Sequence, residues 1–203
     1  RGGLASPLRL ASRQDLAKNL LFDFRALSIA EVHEYSPRVC FWQNMPSHIQ
    51  APVLSEFAKQ WPDATRAIWC EEVHPSRRAM GWSEIDVSPM VQTTLPEDHA
   101  AAALELLSSE RDAIHIFSGL NAYEPIVAAF RAARRVGVRR IGLMMESGIE
   151  WGLAGKLRPM RARWNARAYL PHVQMVLAMG KAGVDFYRQA GFAEDALFPF
   201  LYQ

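Results

Sequence analysis

A carboxylate stands where a run of apolar residues ends. The segment RRIGLMMESGIEW, residues 139–151, is apolar up to Met145 and turns polar at Glu146 and Ser147. A short apolar run of this kind is typical of a buried parallel strand, which would make Glu146 its first exposed residue. A glutamate at such a position can take a proton from an attacking hydroxyl, so Glu146 is the candidate catalytic residue. The alternative is a carboxylate that caps a helix or a turn, because those positions use the same residue types.

Other polar side chains are concentrated in two loops that follow predicted strands, at residues 44–50 and 118–123. In open parallel sheets, ligands bind outside the carboxyl ends of the strands, so these loops would form the walls of one crevice beside Glu146. The polar candidates in the loops are Asn44, Ser47, His48, Gln50, Ser118, Asn121 and Tyr123. Their hydroxyl, amide and imidazole groups are of the kinds that hold a polyhydroxylated ligand.

Several common chemistries do not fit these loops. The first loop, QNMPSHIQAP, contains no glycine, which argues against a dinucleotide-binding fingerprint. The sequence also lacks a phosphate-binding P-loop, and Ser118-Gly119 lacks the preceding glycine of the hydrolase nucleophile motif. The cysteines and histidines, among them Cys40, His48, Cys70 and His74, do not show the close pairing that zinc sites use. We therefore expect neither a cofactor nor a metal ion.

The elements that position these residues alternate between strands and helices. Strands are predicted at residues 38–43, 65–73, 112–118, 139–145, 173–179 and 197–200, with a weaker candidate at 85–87. Helices are predicted near residues 52–60, 95–108, 122–136, 156–170 and 181–190. A strand, a helix and a strand within about 30 residues form a crossover between parallel strands. The pattern predicts a doubly wound, mainly parallel, Rossmann-like α/β sheet. If its strand order is the usual 3-2-1-4-5-6, the first strand and the strand at residues 112–118 are neighbours.

Length and composition favour one large domain with an extension. The chain has 203 residues, half of them hydrophobic, and a net charge of +2 that is too small to indicate nucleic-acid binding. Residues 1–36 do not share the later pattern and are predicted to form an N-terminal helical extension, which leaves residues 37–203 as the Rossmann-like domain. Cys40 and Cys70 lie in apolar runs, as buried reduced thiols of a cytoplasmic protein do. No apolar run reaches the roughly 18 residues that a membrane-spanning helix needs.

The one basic cluster lies in the predicted helix at residues 156–170, KLRPMRARWNARAYL. Leu157, Met160 and Trp164 would share one face, with lysine and arginine on both sides of it. The apolar face can pack on the sheet and leave the arginines solvated. Alternatively, the helix contacts an anionic membrane surface at the inner face of the membrane or a lipid-pyrophosphate acceptor.

Three segments resemble bacterial glycosyltransferases of family 4. FWQNMPSHIQAPVLSEFAKQ, residues 41–60, is similar to the opening strand, loop and helix of that family. AIHIFSGLNAYEPIVAAFRAARRVGVRRIGLMMESG, residues 113–148, is similar to two adjoining strands with their helix. VLAMGKAGVDFYRQAGF, residues 176–192, followed by LFPFLY, is similar to the end of the acceptor domain. The resemblance covers about residues 38–202 and is weakest between residues 74 and 108.

The resemblance implies one half of a GT-B fold, in which two Rossmann-like domains face each other across a cleft. The N-terminal domain of the family holds a saccharide or lipid-linked acceptor, and the C-terminal domain holds most of the nucleotide-sugar donor. This chain ends about where the linker to that second domain should begin, so alone it should not catalyse transfer. The acceptor-binding residues implied by position are Asn44, Ser47, His48, Ser118, Gly119, Asn121, Ser147 and Trp151. Many members of the family carry a histidine where this sequence has Glu146, which we expect to accept a hydrogen bond from the acceptor hydroxyl.

Other interpretations of the sequence stay open. The domain could be a non-catalytic Rossmann-like binding or regulatory module, or part of a sugar-nucleotide epimerase with a related architecture. His48 could contact a ligand or be hydrogen-bonded within its own loop. His115 lies between Ile114 and Ile116 in a predicted strand and is interpreted as a structural core histidine. Trp151 is the tryptophan best placed to stack on a sugar ring because it follows the turn at Glu146.

Overall fold

A computed structural model describes residues 38–82, 85–120, 123–146, 164 and 166–200. Within these residues, seven strands form one sheet in which every neighbouring pair is parallel. The strands are β1 (Val39–Gln43), β2 (Thr65–Trp69), β3 (Val91–Thr94), β4 (Ile114–Ser118), β5 (Arg140–Met145), β6 (Met175–Met179) and β7 (Leu197–Phe200). Their order across the sheet is β3-β2-β1-β4-β5-β6-β7, which confirms the predicted parallel α/β fold and follows the usual order with a seventh strand at one edge.

The helices that connect the strands begin and end at residues with clear local reasons. They are α1 (Ala51–Gln60), α2 (Pro75–Ala79), α3 (His99–Ser109), α4 (Glu124–Val136) and α5 (Gly180–Ala190), with short 3₁₀ turns at Leu170–His172 and Glu194–Ala196. Proline in the first turn of α1 and α4 supplies the backbone angle that a helix start requires. The side chain of Asp98 caps α3 by accepting from the backbone N–H of Ala101. Gly137 and Gly191 end α4 and α5 with left-handed backbone angles.

The sheet is buried on both faces by helices. On one face, Trp42 and Phe117 stack with ring centroids 5.5 Å apart, and Phe130 of α4 contacts Phe117 edge to face. On the other face, Leu54 and Ala58 of α1 pack against apolar residues of the strands. Every residue of β1 and β4 is buried, as expected for central strands of a doubly wound sheet.

Hydrogen bonds and ion pairs connect a group of polar side chains near the amino end of β4. The indole Nε1–H of Trp42 donates to Nδ1 of His115 at 2.9 Å, and the ring Nε2 of His115 lies 2.9 Å from the carbonyl oxygen of Glu110. The carboxylate of Glu110 pairs with Arg38 at 2.8 Å and with Arg66 at 3.5 Å. His115 is therefore a satisfied core histidine, as its position between two isoleucines predicted.

The stretch between β2 and α3 differs from the predictions. β2 ends at Trp69 rather than continuing to Val73, and residues 85–87 are not a strand. The third strand is instead β3, and the short helix α2 lies in a stretch predicted to be irregular. β3 escaped prediction because it has four mostly exposed residues, VQTT, without an apolar run or an alternating pattern.

Several predictions concern residues outside those that the structure describes. They are the N-terminal helical extension at 1–36 and most of the predicted helix at 156–170. Cys40 and Cys70 are described, and both are buried free thiols, as predicted. Burial raises the pKa of each to about 12. None of the helices in the described segments is long and apolar enough to cross a membrane.

Candidate functional site

A cavity of about 470 Å³ opens at the carboxyl ends of β1, β4 and β5. This is the edge of the sheet at which ligands bind in open parallel α/β folds. Residues that line the cavity are Asn44, Met45, Ser47, Ile49 and Gln50 after β1, Arg77 and Trp82 after β2, Ser118, Gly119 and Tyr123 around the end of β4, Met144, Met145 and Glu146 of β5 and its end, and Phe186 and Tyr187 of α5. The loop after β1 and the end of β5 therefore open onto the same hollow, which is the geometry on which the sequence interpretation depends.

The predicted site residues fall into three groups. Five of them line the cavity: Asn44, Ser47, Ser118, Gly119 and Glu146. His48 is exposed and does not line it, and its ring instead contacts the Trp82 ring edge to face at 4.7 Å. The other three, Asn121, Ser147 and Trp151, lie outside the described residues.

Ser47 shapes the loop that leads from β1 into α1. Its carbonyl oxygen accepts from the backbone N–H groups of Gln50 and Ala51, each at 3.0 Å. Its hydroxyl oxygen accepts from the backbone N–H of Ile49 at 3.3 Å. Ser47 thus fixes one wall of the cavity, while its hydroxyl hydrogen can still donate to a ligand.

The turn between β4 and α4 brings an aromatic ring over the cavity. Gly119 has a φ of +79°, and a Cβ atom there would lie 2.6 Å from Cδ2 of Tyr123. The Tyr123 ring therefore rests directly on the glycine backbone, and 42% of the residue stays exposed. A glycine is required here by both the backbone angle and the closeness of the ring.

Glu146 is held at the end of β5 through its main chain. Its carbonyl oxygen accepts from the Tyr187 hydroxyl at 2.8 Å, while the residue itself is exposed. Burial, and then the charge of Glu146, raise the pKa of Tyr187, so that this hydroxyl stays protonated as a donor. Tyr187 therefore fixes the backbone from which the Glu146 carboxylate extends. This contact could not be predicted from the sequence, because Tyr187 lies on the apolar stripe of α5.

Arg77 and Trp82 form the wall that follows β2. The Arg77 guanidinium lies over the Trp82 ring, 5.0 Å from its centroid. Trp82 and Tyr123 thus both present aromatic surface to the cavity, and aromatic rings of this kind pack on the apolar faces of sugars. Neither Arg77 nor Trp82 is among the residues predicted to bind the acceptor. Both residues follow β2, which pairs with β1, and this position at the carboxyl edge of the sheet could have identified them.

The fold is shared with solved structures of sugar-nucleotide proteins. No protein-family model and no curated protein matches the sequence. The structure of Anabaena Alr3699/HepE in complex with UDP and glucose is 10% identical, with a TM-score of 0.52, over 82% of this chain and 45% of that chain. UDP-N-acetylglucosamine 2-epimerase from Rickettsia bellii is 11% identical, with a TM-score of 0.54, over 81% of this chain and 44% of that chain.

These similarities show the fold, which is a GT-B-like arrangement of a parallel sheet between helices. The chain spans less than half of the length of either protein. At 10% and 11% identity, the similarities assign no substrate and no catalytic residue to this chain.

Proposed function

We propose that this chain is the acceptor-binding domain of a glycosyltransferase. The enzyme moves a sugar from a nucleotide-sugar donor to a saccharide or lipid-linked acceptor during synthesis of a bacterial surface polysaccharide or glycolipid. The observation that supports this most is the cavity at the carboxyl edge of the sheet, where amide, hydroxyl, aromatic and carboxylate side chains converge. The sequence resemblance to family 4 glycosyltransferases and the GT-B-like fold support it independently.

The cavity supplies one half of the chemistry that sugar transfer needs. In the proposed reaction, an acceptor hydroxyl forms a bond to the anomeric carbon of the donor sugar, and the bond from that carbon to the nucleoside diphosphate breaks. The exposed carboxylate of Glu146 accepts a hydrogen bond from the attacking hydroxyl and receives its proton. Among the described residues that line the cavity, Arg77 is the one basic side chain, which is too little positive charge for a diphosphate. In this proposal, a second domain outside the described residues therefore holds the donor diphosphate.

A glutamine at position 146 tests this role directly. Glu146→Gln in the full-length enzyme keeps the shape of the side chain but removes its basicity, so kcat/KM should fall by about 10²-fold or more. The measurement is acceptor-dependent release of nucleoside diphosphate from a nucleotide sugar. Glu105→Gln, at an exposed glutamate of α3 away from the cavity, is the matched control and should leave the rate unchanged. A Glu146→Gln enzyme within about threefold of wild type would rule out the proton-accepting role.

A second candidate function is epimerisation of a nucleotide sugar. The similarity of fold to UDP-N-acetylglucosamine 2-epimerase supports it, because that match covers nearly as much of each chain as the match to HepE. An epimerase converts the nucleotide sugar without any acceptor, whereas a transferase requires one. Incubating the full-length protein with a nucleotide sugar alone, in deuterated water, and following the sugar by NMR distinguishes the two. Neither conversion nor transfer would be seen with a non-catalytic binding module.

A further inference from the structure

Two polar residues interrupt an apolar row on the sheet face that carries α1. Gln43 of β1 pairs with Trp69 of β2, and Ser118 of β4 pairs with Met144 of β5. Because Trp42 pairs with Phe117, the next residues along the two strands, Gln43 and Ser118, stand side by side. Trp42 and Phe117 stack on the opposite face, so Gln43 and Ser118 point to the face of α1. Two neighbouring polar side chains therefore occupy the carboxyl end of the central strands, beneath the cavity.

These side chains carry polar atoms that no described residue satisfies. Both the amide nitrogen and the amide oxygen of Gln43 are buried without a hydrogen-bond partner among the described residues. The same holds for the hydroxyl of Ser118 and the amide oxygen of Gln50. Gln43 is fully buried, and Ser118 is 6% exposed. Gln50 and Ser118 line the cavity, and Gln43 lies beside Ser118 in the sheet. Buried polar atoms are nearly always paired, so these four unpaired atoms indicate partners outside the described residues.

The chemistry of the cavity restricts what that partner can be. Of the described residues that line it, Arg77 is the one basic side chain and Glu146 the one acidic side chain. Their charges offset each other, and neither Gln43 nor Ser118 carries charge, so an anionic ligand would gain little here. A primary amide and a hydroxyl can each donate and accept, and so can a sugar hydroxyl. The neighbouring Met144 and the Tyr123 ring offer apolar surface for the C–H groups of a sugar ring.

We propose that Gln43, Gln50 and Ser118 form a specificity subsite that binds hydroxyl groups of an uncharged saccharide unit. This inference rests on the proposed function and assigns part of the acceptor to named side chains. The unpaired atoms are covered by neighbouring side chains, so binding requires rotamer changes, which are common at binding sites. The subsite selects neutral sugar units over those that carry a carboxylate or a phosphate.

Stability and binding should respond in opposite directions to loss of these groups. A buried polar group without a partner opposes folding, so replacing it with an apolar group of similar shape removes an unfavourable contribution. Gln43→Met and Ser118→Ala should therefore keep or raise the melting temperature. The same variants should bind neutral saccharides about tenfold more weakly, because one ligand hydrogen bond is lost in each.

The experiment measures binding of small glycosides to the full-length protein in the absence of a nucleotide sugar. The probes are methyl glycosides of neutral hexoses, a methyl glucuronide and glucose 6-phosphate, observed by saturation-transfer NMR. We expect neutral glycosides to bind wild type and the charged probes to bind at least tenfold more weakly. Ser108→Ala, at an exposed serine of α3, is the matched control and should bind like wild type.

Three results would overturn the inference. One is the absence of neutral-glycoside binding to wild type, and another is unchanged binding by Gln43→Met and Ser118→Ala. The third is a clear fall in melting temperature in either variant, which would mean that a trapped water satisfies the group and that its role is structural. Failure of the proposed function is a separate outcome: the variants would then weaken glycoside binding in a protein that transfers no sugar.

Discussion

His115 is held in one tautomer by its two neighbours in the core. The Trp42 indole N–H can only donate, so Nδ1 of His115 carries the lone pair and Nε2–H donates to the carbonyl oxygen of Glu110. Protonating Nδ1 would place its N–H against the indole N–H of Trp42, so that two donors would face each other in the buried core. Burial accordingly lowers the pKa of His115 to about 4, although the bond to the Glu110 carbonyl opposes the shift.

We predict that this histidine makes folding stability depend on pH. Between pH 6.5 and about 4, the unfolded chain binds a proton at His115 that the folded protein does not. The free energy of unfolding should therefore fall as the pH drops through this window, by about 3 kcal/mol in total. Urea unfolding at several pH values measures the slope. His115→Leu cannot titrate and should lack this part of the slope, so equal slopes in the two proteins would contradict the prediction.

Tyr187 provides a test of how Glu146 is positioned. Tyr187→Phe removes the hydrogen bond to the Glu146 carbonyl but keeps the ring, so the free energy of unfolding should fall by about 1 kcal/mol. Because the end of β5 is then less firmly held, kcat should fall about tenfold with KM for the donor unchanged. Tyr169→Phe, at a half-buried ring that contacts Phe130, is the control. Equal kcat values for Tyr187→Phe and wild type would show that this bond does not position the carboxylate.

Some cavity residues could be predicted from the sequence and others could not. Asn44 and Glu146 lie where apolar runs give way to polar residues, and that position marks the carboxyl edge of a sheet. Gln43 is the last residue of its strand, and no sequence pattern shows that its amide lacks a partner among the residues that the structure describes. His48 lies in the same loop as Asn44 and Ser47, yet it does not line the cavity and its ring contacts Trp82, because loop conformation decides where each side chain points.

At the scale of elements, α4 is bounded by two glycines with nearly the same backbone angle. Gly119 precedes α4 with a φ of +79°, and Gly137 ends it with a φ of +77°. A Cβ at Gly119 would overlap the Tyr123 ring, whereas a Cβ at Gly137 would meet nothing within 4 Å. The two positions therefore separate backbone strain from steric overlap.

We predict different costs for alanine at these two positions. Gly137→Ala should lower the free energy of unfolding by about 1–2 kcal/mol, from the left-handed backbone alone. Gly119→Ala should lower it by roughly 1–3 kcal/mol more, because the Tyr123 ring must also move. Chemical denaturation of both variants measures the difference. Equal losses of unfolding free energy in the two variants would contradict the prediction and would mean that the Tyr123 ring can move away from position 119 without cost.

Element prediction succeeded where helices and strands alternate in long, periodic segments. The segment from β4 through α4 to β5 was predicted within two residues at each end, because a buried apolar run, a proline start and a glycine stop agree there. It failed for β3, whose pairing with β2 is a tertiary contact that four mostly exposed residues do not reveal. Short edge strands owe their conformation to the neighbouring strand more than to their own composition.

At the scale of the whole molecule, the alternation of strands and helices predicted a parallel, doubly wound sheet. In the usual strand order of such a sheet β1 lies beside β4, and the structure has this order, so the loops that follow the two strands open onto one hollow. Three features of the cavity could not be predicted in this way, because they depend on how irregular segments pack. They are its volume, the wall from α2 to Trp82, and the residues that α5 contributes.

The walls of the cavity come from the loops after β1 and β2, the ends of β4 and β5, and α5, which are far apart along the chain. No wall can form until the central strands have paired, so the proposed affinity for a saccharide would exist only in the cooperatively folded state. By mass action, a saccharide at a hundredfold excess over its dissociation constant should stabilise the protein by about 2.7 kcal/mol. Protection from a protease at rising saccharide concentration therefore gives a measure of affinity that needs no catalytic turnover.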